Sequence, residues 1–466
     1  MMTFSQKHAA LRVVLAAFVL WTFAMTTATA DDSVPLQLLD VDTAVELALA
    51  NNLGLRSQRI DVLIAERNND HRFNVLIPQL SAQGTLSRPN AEPTDPLAGF
   101  LPPGSEPETP PRWRLNAAAN AQLTLSTQMI HGVRSVADSY RNAEIELADA
   151  EREIVLEVRK AFYQLLLMQE RLALAERRLD AAEQRLSEIQ DNYEAGLVDE
   201  LTLLQTEVSV ANQRPAILRQ RRAMETALQR LATTIGLPSV ENIDLRGSIE
   251  LDSRSLRETG ALLAEVSENA SVRAARRGIE GMLTRIDLTR AQLYPSLTIS
   301  FSLSPTLSGD PWSADVWESD NWNDNGALSF TLRQPIDPLL PGSQTRQELA
   351  NQRDRLKQAE LQVQQALEGV ELQVMQLAGS IEDTETTIDS LLSNVSLAER
   401  RFELASEAYE AGLRDYSAVR DAEIDLGDAR LQLLQEQHSL IELTLDLAHL
   451  LNSSTAEITQ QQENNE

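Results

Sequence analysis

The chain carries the same structural phrase twice, about 216 residues apart. The stretch Tyr193-Glu194-Ala195-Gly196-Leu197 returns as Tyr409-Glu410-Ala411-Gly412-Leu413. An apolar ladder with alternating steps of three and four leads into each. The first runs Leu172, Ala175, Leu179, Ala182, Leu186, Ile189, Tyr193, and the second Ile388, Leu391, Val395, Ala398, Phe402, Ala405, Tyr409. One such stripe means only that a helix packs on a neighbour. Two in the same register, each ending in the same turn, mean a duplicated unit.

The ends and the charge narrow the setting. Lys7 and Arg12, an apolar run over residues 13–25 and the small residues Ala28-Thr29-Ala30 read as a cleavable export signal over residues 1–30. The competing reading, a membrane anchor, needs a longer apolar run. The sequence then divides into a first repeat over 31–247, a second over 248–452 and a polar tail over 453–466. The chain has no cysteine. That rules out disulfides, thiol chemistry and thiolate metal sites. Its net charge of −28, which becomes more negative once Lys7 and Arg12 are removed, argues against nucleic acid as a partner and against adsorption to anionic lipid. Beyond the signal no apolar stretch is long enough for a transmembrane helix. Entry into a membrane therefore requires a β-barrel.

Neither Gly nor Pro occurs between Gly132 and Gly196. A helix over that stretch reaches about 95 Å, too long to bury itself in one globular domain. Residues 343–411 form its counterpart, with Gly369 and Gly379 as weak points. Return helices follow over 199–235 and 416–451, and Pro215 is expected to kink or break the first. Four other segments alternate with period two. They are Leu80 to Ser87, Leu115 to Ser126, Leu297 to Leu303 and Leu328 to Arg333, each with one apolar and one polar face. Alternation alone also fits a sheet packed on helices in water. Beyond the signal every Trp lies at or between these strands: Trp113, Trp312, Trp317 and Trp322, as expected for a hydrocarbon–water boundary. The linking segments, the proline-rich 88–112 and the acidic 304–325, suit outward loops. Four strands cannot close a membrane barrel, and an open edge in lipid is costly. Copies must therefore pool strands, and three copies give a 12-stranded barrel with a usable interior.

With these features together, the chain resembles the TolC-type outer membrane efflux proteins of Gram-negative bacteria over residues 38–452. The resemblance rests on Leu76-Ile77-Pro78 and Leu293-Tyr294-Pro295 opening strands, Arg333-Gln334-Pro335-Ile336 closing the fourth, and the two Tyr-x-x-Gly tips. It implies a mostly α protein with membrane β: a long α-helical barrel joined to a β-barrel to which each chain of a homotrimer gives four strands. It also implies an outer membrane channel extending through the periplasm. The tips would meet a periplasmic adaptor that links the channel to an inner-membrane transporter.

Asp421, Asp425 and Asp428 share one helical face, where their first-repeat counterparts are Gln205, Ser209 and Asn212. In three copies such a stripe becomes stacked carboxylate rings that favour cations. It also fits a solvated face balanced by Arg420 and Arg430. By resemblance Asp421 matches a constriction aspartate, while Ala418 departs from the pattern. Tyr409 and Arg414 match positions that tie the inner hairpin to its neighbours, and the acidic partner falls on Thr202, with Asp199 or Glu200 as substitutes. Tyr409 as a last heptad rung and Arg414 as a surface charge is the simpler reading. Gly196 and Gly412 supply the positive φ that ends a helix. With Leu197 and Leu413, by resemblance, they dock the adaptor. The five histidines form no metal-spaced pair and no phosphate-cradling glycine loop is present. No catalysis, cofactor or metal is expected. A periplasmic coiled-coil scaffold or adaptor is the alternative.

Overall fold

The computed structural model describes residues 37–90, 113–237, 243–249, 255–256, 259–308, 312, 322–323, 325–414, 416–453 and 459–460. The export signal and Trp317 lie outside the described residues. The first half runs β1 (Gln37–Leu39), α1 (Val41–Asn51), α2 (Leu53–Asp70), β2 (Gln79–Ser87), β3 (Arg114–Leu125), α3 (Thr127–Glu194), α4 (Glu200–Thr234) and β4 (Ile243–Leu245). The second runs β5 (Ser255–Leu256), α5 (Thr259–Leu263), α6 (Ala270–Ala291), β6 (Ser296–Leu303), β7 (Thr306–Ser308), β8 (Trp322–Asn323), β9 (Gly326–Arg333), α7 (Gln344–Glu410), α8 (Tyr416–Leu451) and β10 (Thr459–Gln460).

The duplication extends to individual hydrogen bonds. Asn52 and Asn269 are the N-caps of α2 and α6. Each also donates its side-chain amide back to the end of a return helix. Asn52 Nδ2 reaches Thr234 O at 2.8 Å and Asn269 Nδ2 reaches Leu450 O at 2.7 Å. One side chain thereby fixes a helix start against a helix end in each half. Asn269 is buried, so Asn269→Ala strands the Leu450 carbonyl and removes the cap. The expected loss is about 1–3 kcal/mol, read as a lowered unfolding midpoint of the purified protein in detergent. A second matched pair crosses each hairpin: Arg214 Nη2 to Glu183 Oε1 at 2.9 Å and Arg430 Nη2 to Glu399 Oε1 at 2.8 Å.

At 68 and 67 residues, α3 and α7 each span about 100 Å. α4 runs unbroken through Pro215, contrary to a break there. On both sides of it the helix is tied to α3, by Arg214–Glu183 and by Arg221–Glu176 at 2.6 Å. The apolar cores sit midway along the long helices. Leu39, Ala44, Val158, Phe162, Leu165, Leu231, Ile235 and Leu245 form the first. Leu262, Val272, Val370, Val374, Ile381, Leu447 and Leu451 form the second. Through Leu39 and Leu245 the parallel β1–β4 pair joins the first core, and β5 pairs antiparallel with β10.

His438 of α8 is buried near this level, with Nδ1 3.8 Å from Glu442 Oε2. Burial pushes its pKa below the ordinary 6.5; Glu442 opposes the shift and Arg171 adds to it. A depressed histidine favours the folded state above the unfolded pKa, and that contribution is lost as pH falls from about 6.5 toward the folded value. The slope of thermal stability between pH 7 and 5 should therefore flatten in His438→Gln. An unchanged slope would remove His438 as its source.

Candidate functional site

Four antiparallel strands pair in the order β2–β3–β6–β9. Register places Leu125, Leu297 and Leu332 in one row, Leu123, Ile299 and Phe330 in the next, and Leu80, Ala121, Phe301 and Leu328 in a third. The intervening rows are polar: Thr124, Thr298 and Thr331, then Gln79, Gln122, Ser300 and Ser329. Thr124 Oγ1 meets Thr298 Oγ1 at 3.3 Å, and Ser300 Oγ meets Ser329 Oγ at 2.7 Å. Hydroxyl groups thus satisfy one another across the polar face. On the apolar face Leu80 is 78 % exposed, Leu328 60 %, Phe330 66 % and Leu332 71 %. Among the described residues no helix covers it, which argues against a sheet folded onto its own helices.

The third strand is longer than its alternation suggests. β6 and β7 hold one register against β3, from Leu125↔Leu297 to Arg114↔Ser308. Pro305 falls between them and lacks a donor, yet its carbonyl accepts from Ala117 N at 3.0 Å. β8 continues β9 in the same way, with Trp322 opposite Leu307. The apolar rows from Leu115 to Leu125 span ten steps of about 3.3 Å. Tilted by the usual 35–45°, they give a band of about 25 Å, the height of a membrane barrel's apolar girdle. At one end the guanidinium of Arg88 stacks 5.4 Å over the Trp113 ring, a pair suited to headgroups. Trp312, in the connection beyond β7, is largely exposed.

At the far end of the long helices the two hairpin turns share one geometry. Gly196 has φ +74° and Gly412 φ +70°. Leu197 N donates to Asn192 O and Leu413 N to Ala408 O, both at 2.8 Å, the hydrogen bond that closes such a helix end. The turns leave Leu197 74 % and Leu413 79 % exposed, beside half-exposed Tyr193 and Tyr409. Asp199 caps α4, accepting from Thr202 N at 3.1 Å and Thr202 Oγ1 at 2.5 Å. The Thr202 bonds hold its pKa below the ordinary carboxylate value. Arg414 is exposed, and the chain forms no ion pair between it and Asp199 or Glu200 among the described residues.

The acidic stripe divides into two kinds of aspartate. Asp425 pairs with Arg401 of α7 and Asp428 with Arg178 of α3. Arg430 serves Glu399, and Arg420 is buried with Nη1 3.3 Å from Ala181 O. The cations that balance the stripe are therefore Arg401 and Arg178, in place of Arg420 and Arg430. Asp421 stays exposed and has no ion-pair partner among the described residues. Arg178–Asp428, Arg420–Ala181 and Lys160–Asp446 at 2.5 Å run up one antiparallel seam between α3 and α8. Along it a Cβ added at Gly427 would meet Leu174 Cδ1 at 2.8 Å. The two hairpins of one chain are thus joined, not merely adjacent.

The outer membrane efflux protein family matches residues 44–237 and 264–453, most of the chain and once per repeat. The chain belongs to that family. Among solved structures it is similar to the Campylobacter jejuni CmeC outer membrane channel, with a TM-score of 0.71 at 14 % identity over 90 % of this chain and 88 % of that one. The Vibrio cholerae outer membrane protein VceC gives 0.67 at 20 % identity over 89 % and 96 %. The open state of the Neisseria gonorrhoeae MtrE channel gives 0.67 at 18 % identity over 90 % and 91 %. A comparison with curated proteins finds no match. As an outer membrane efflux protein, the chain places its uncovered sheet in the outer membrane and extends its long helices into the periplasm.

The ionic links were the part of the site that sequence reading missed. Asn52/Asn269, Glu183/Glu399 and Arg214/Arg430 stand at the repeat offset in the sequence, so an offset search over polar residues would have flagged them. Arg178–Asp428 and Arg401–Asp425 have no first-half counterpart and carry no such signal.

Proposed function

We propose that three copies form a passive duct through which an inner-membrane transporter, joined by a periplasmic adaptor, exports its cargo across the outer membrane. The observation that carries this reading is the sheet: four alternating antiparallel strands, an uncovered apolar face and two outer edges at β2 and β9. An even strand count sets β9 antiparallel to the β2 of a following copy, so identical chains can close without a mismatch. Three copies supply 12 strands, enough for an open interior.

The helices supply a matching seam. α2 leaves Leu53, Ile60 and Leu63 exposed, and α4 leaves Leu201, Leu204 and Val208. Exposed on α7 are Leu361, Leu372, Leu397 and Leu404. Stacking α2 and α4 of one copy against α7 of the next removes both stripes from water in a heterologous, ring-closing contact.

At the periplasmic mouth Asp421, without an ion-pair partner among the described residues, forms the ring that favours cations, while Asp425 ties the two helices of the inner hairpin together through Arg401 and Asp428 locks that hairpin to the first one through Arg178. Tyr409 and Arg414 hold the mouth shut across the copy boundary, and the exposed Leu197 and Leu413 with Gly196 and Gly412 present the surface the adaptor grips. Charge reversal at Arg414 should raise the conductance of the purified channel in a planar bilayer, and an unchanged closed-state conductance would remove it from the latch. The duct reading itself is tested by fractionation. The protein should leave the outer membrane only in detergent and run as a trimer. A water-soluble monomer would refute it and favour a periplasmic scaffold.

A further inference from the structure

The chain carries 69 acidic residues against 41 Lys and Arg, yet the membrane sheet inverts that balance. Within β2, β3, β6, β7, β8 and β9 every ionisable side chain is an arginine: Arg114 at the start of β3 and Arg333 at the end of β9. Both fall on the polar face. Arg114 pairs in register with Ser87 and Ser308, and Arg333 with Ser296. They mark opposite ends of the hydroxyl rows, about 12 steps apart and so roughly 30 Å along a tilted barrel. Both are exposed, and neither has an ion-pair partner among the described residues.

Arginine at a strand end commonly reaches for lipid headgroups. Parity argues against that here. The arginine on the apolar side is Arg88, which stands opposite Trp113 and stacks on its ring. Arg114 and Arg333 alternate away from that side, as Asn116, Gln122, Ser329 and Thr331 do. We propose that the barrel lumen is an anion-binding passage, bounded by one ring of three Arg114 and another of three Arg333 and lined between them by neutral hydroxyl and amide groups. Each ring gathers three guanidinium groups around a narrow axis, where planar donors recognise multivalent oxyanions such as phosphate chains. The duct would then discriminate twice, at an acidic periplasmic mouth and along a basic membrane bore. This inference rests on the duct reading, because only ring closure brings the three copies together.

The test uses full-length trimer in a planar bilayer, with tripolyphosphate added on the side of the long strand connections. Entry from that side samples the bore before the mouth. Tripolyphosphate should reduce the conductance of the open channel. Its half-blocking concentration should rise on the order of tenfold in Arg114→Gln/Arg333→Gln, the scale set by losing close charges in a partly screened pore. Arg333→Lys should retain most of the block. A conducting wild-type channel that tripolyphosphate does not block, or a block unchanged in the double variant, overturns the proposal. A protein that never conducts, even when charge reversal at Arg414 opens the mouth, overturns the duct reading instead.

Discussion

Arginine at Leu328 is expected to abolish outer membrane assembly, while arginine at Ser329, one residue on, leaves it intact. Leu328 lies in the middle apolar row with Ala121 and Phe301, where a bilayer would be thickest. A cation there costs about 2–4 kcal/mol, and three copies raise that to roughly 6–12 kcal/mol per assembly. Ser329 alternates to the hydroxyl face, where an added guanidinium meets water. In an isolated soluble chain both positions are exposed and both variants would be close to neutral. The measurement is the amount of heat-modifiable, detergent-extracted protein in the outer membrane for each variant. Equal yields would contradict a lipid-facing row.

The next largest effect separates two glycines that share one backbone conformation. Gly196 and Gly236 both have φ +74°. Around Gly196 nothing lies within 4 Å of an added Cβ, whereas at Gly236 the Cβ would sit 2.6 Å from Asn51 Cβ and 2.9 Å from Asn51 O. Gly196→Ala therefore costs only the left-handed conformation, about 1–2 kcal/mol. Gly236→Ala adds overpacking of about 1–3 kcal/mol against the end of α1, because the backbone there cannot yield as a flexible side chain would. The repeat supplies its own control. Asn452 occupies the position matching Gly236 and has φ 58°, tolerable for asparagine, and Ser453 N still donates to Ala448 O at 3.0 Å. Unfolding midpoints in detergent should fall clearly further for Gly236→Ala than for Gly196→Ala; equal shifts would mean that φ alone sets the cost.

The parts of this fold legible in advance were those with a period. Rungs from Leu172 to Tyr193 and from Ile388 to Tyr409 became α3 and α7, because helical spacing says which residues share a face. Alternation from Leu115 to Leu125 and from Leu328 to Leu332 became β3 and β9 for the same reason. Partners were less legible. Nothing local tells Asp428 that its cation is Arg178, on the other hairpin, or tells Asp425 that Arg401 stands on the neighbouring helix. Those pairings exist only once α3, α7 and α8 are laid side by side. Pro305 hid the continuity of β6 and β7, since a proline reads as a strand end although its carbonyl stays in the ladder. Pro215 does not end the helix, since α4 continues as one element through the missing hydrogen bond.

Because the native chain has no cysteine, introduced thiols report contacts without background. One cysteine at Gln83 in β2, combined in turn with one at each position of β9 from Gly326 to Arg333, scans the two outer edges against each other. In oxidised outer membranes at least one register should yield covalent dimers and trimers that collapse to monomer on reduction. If every register yields only monomer, β2 and β9 do not meet between copies, and the shared barrel does not exist.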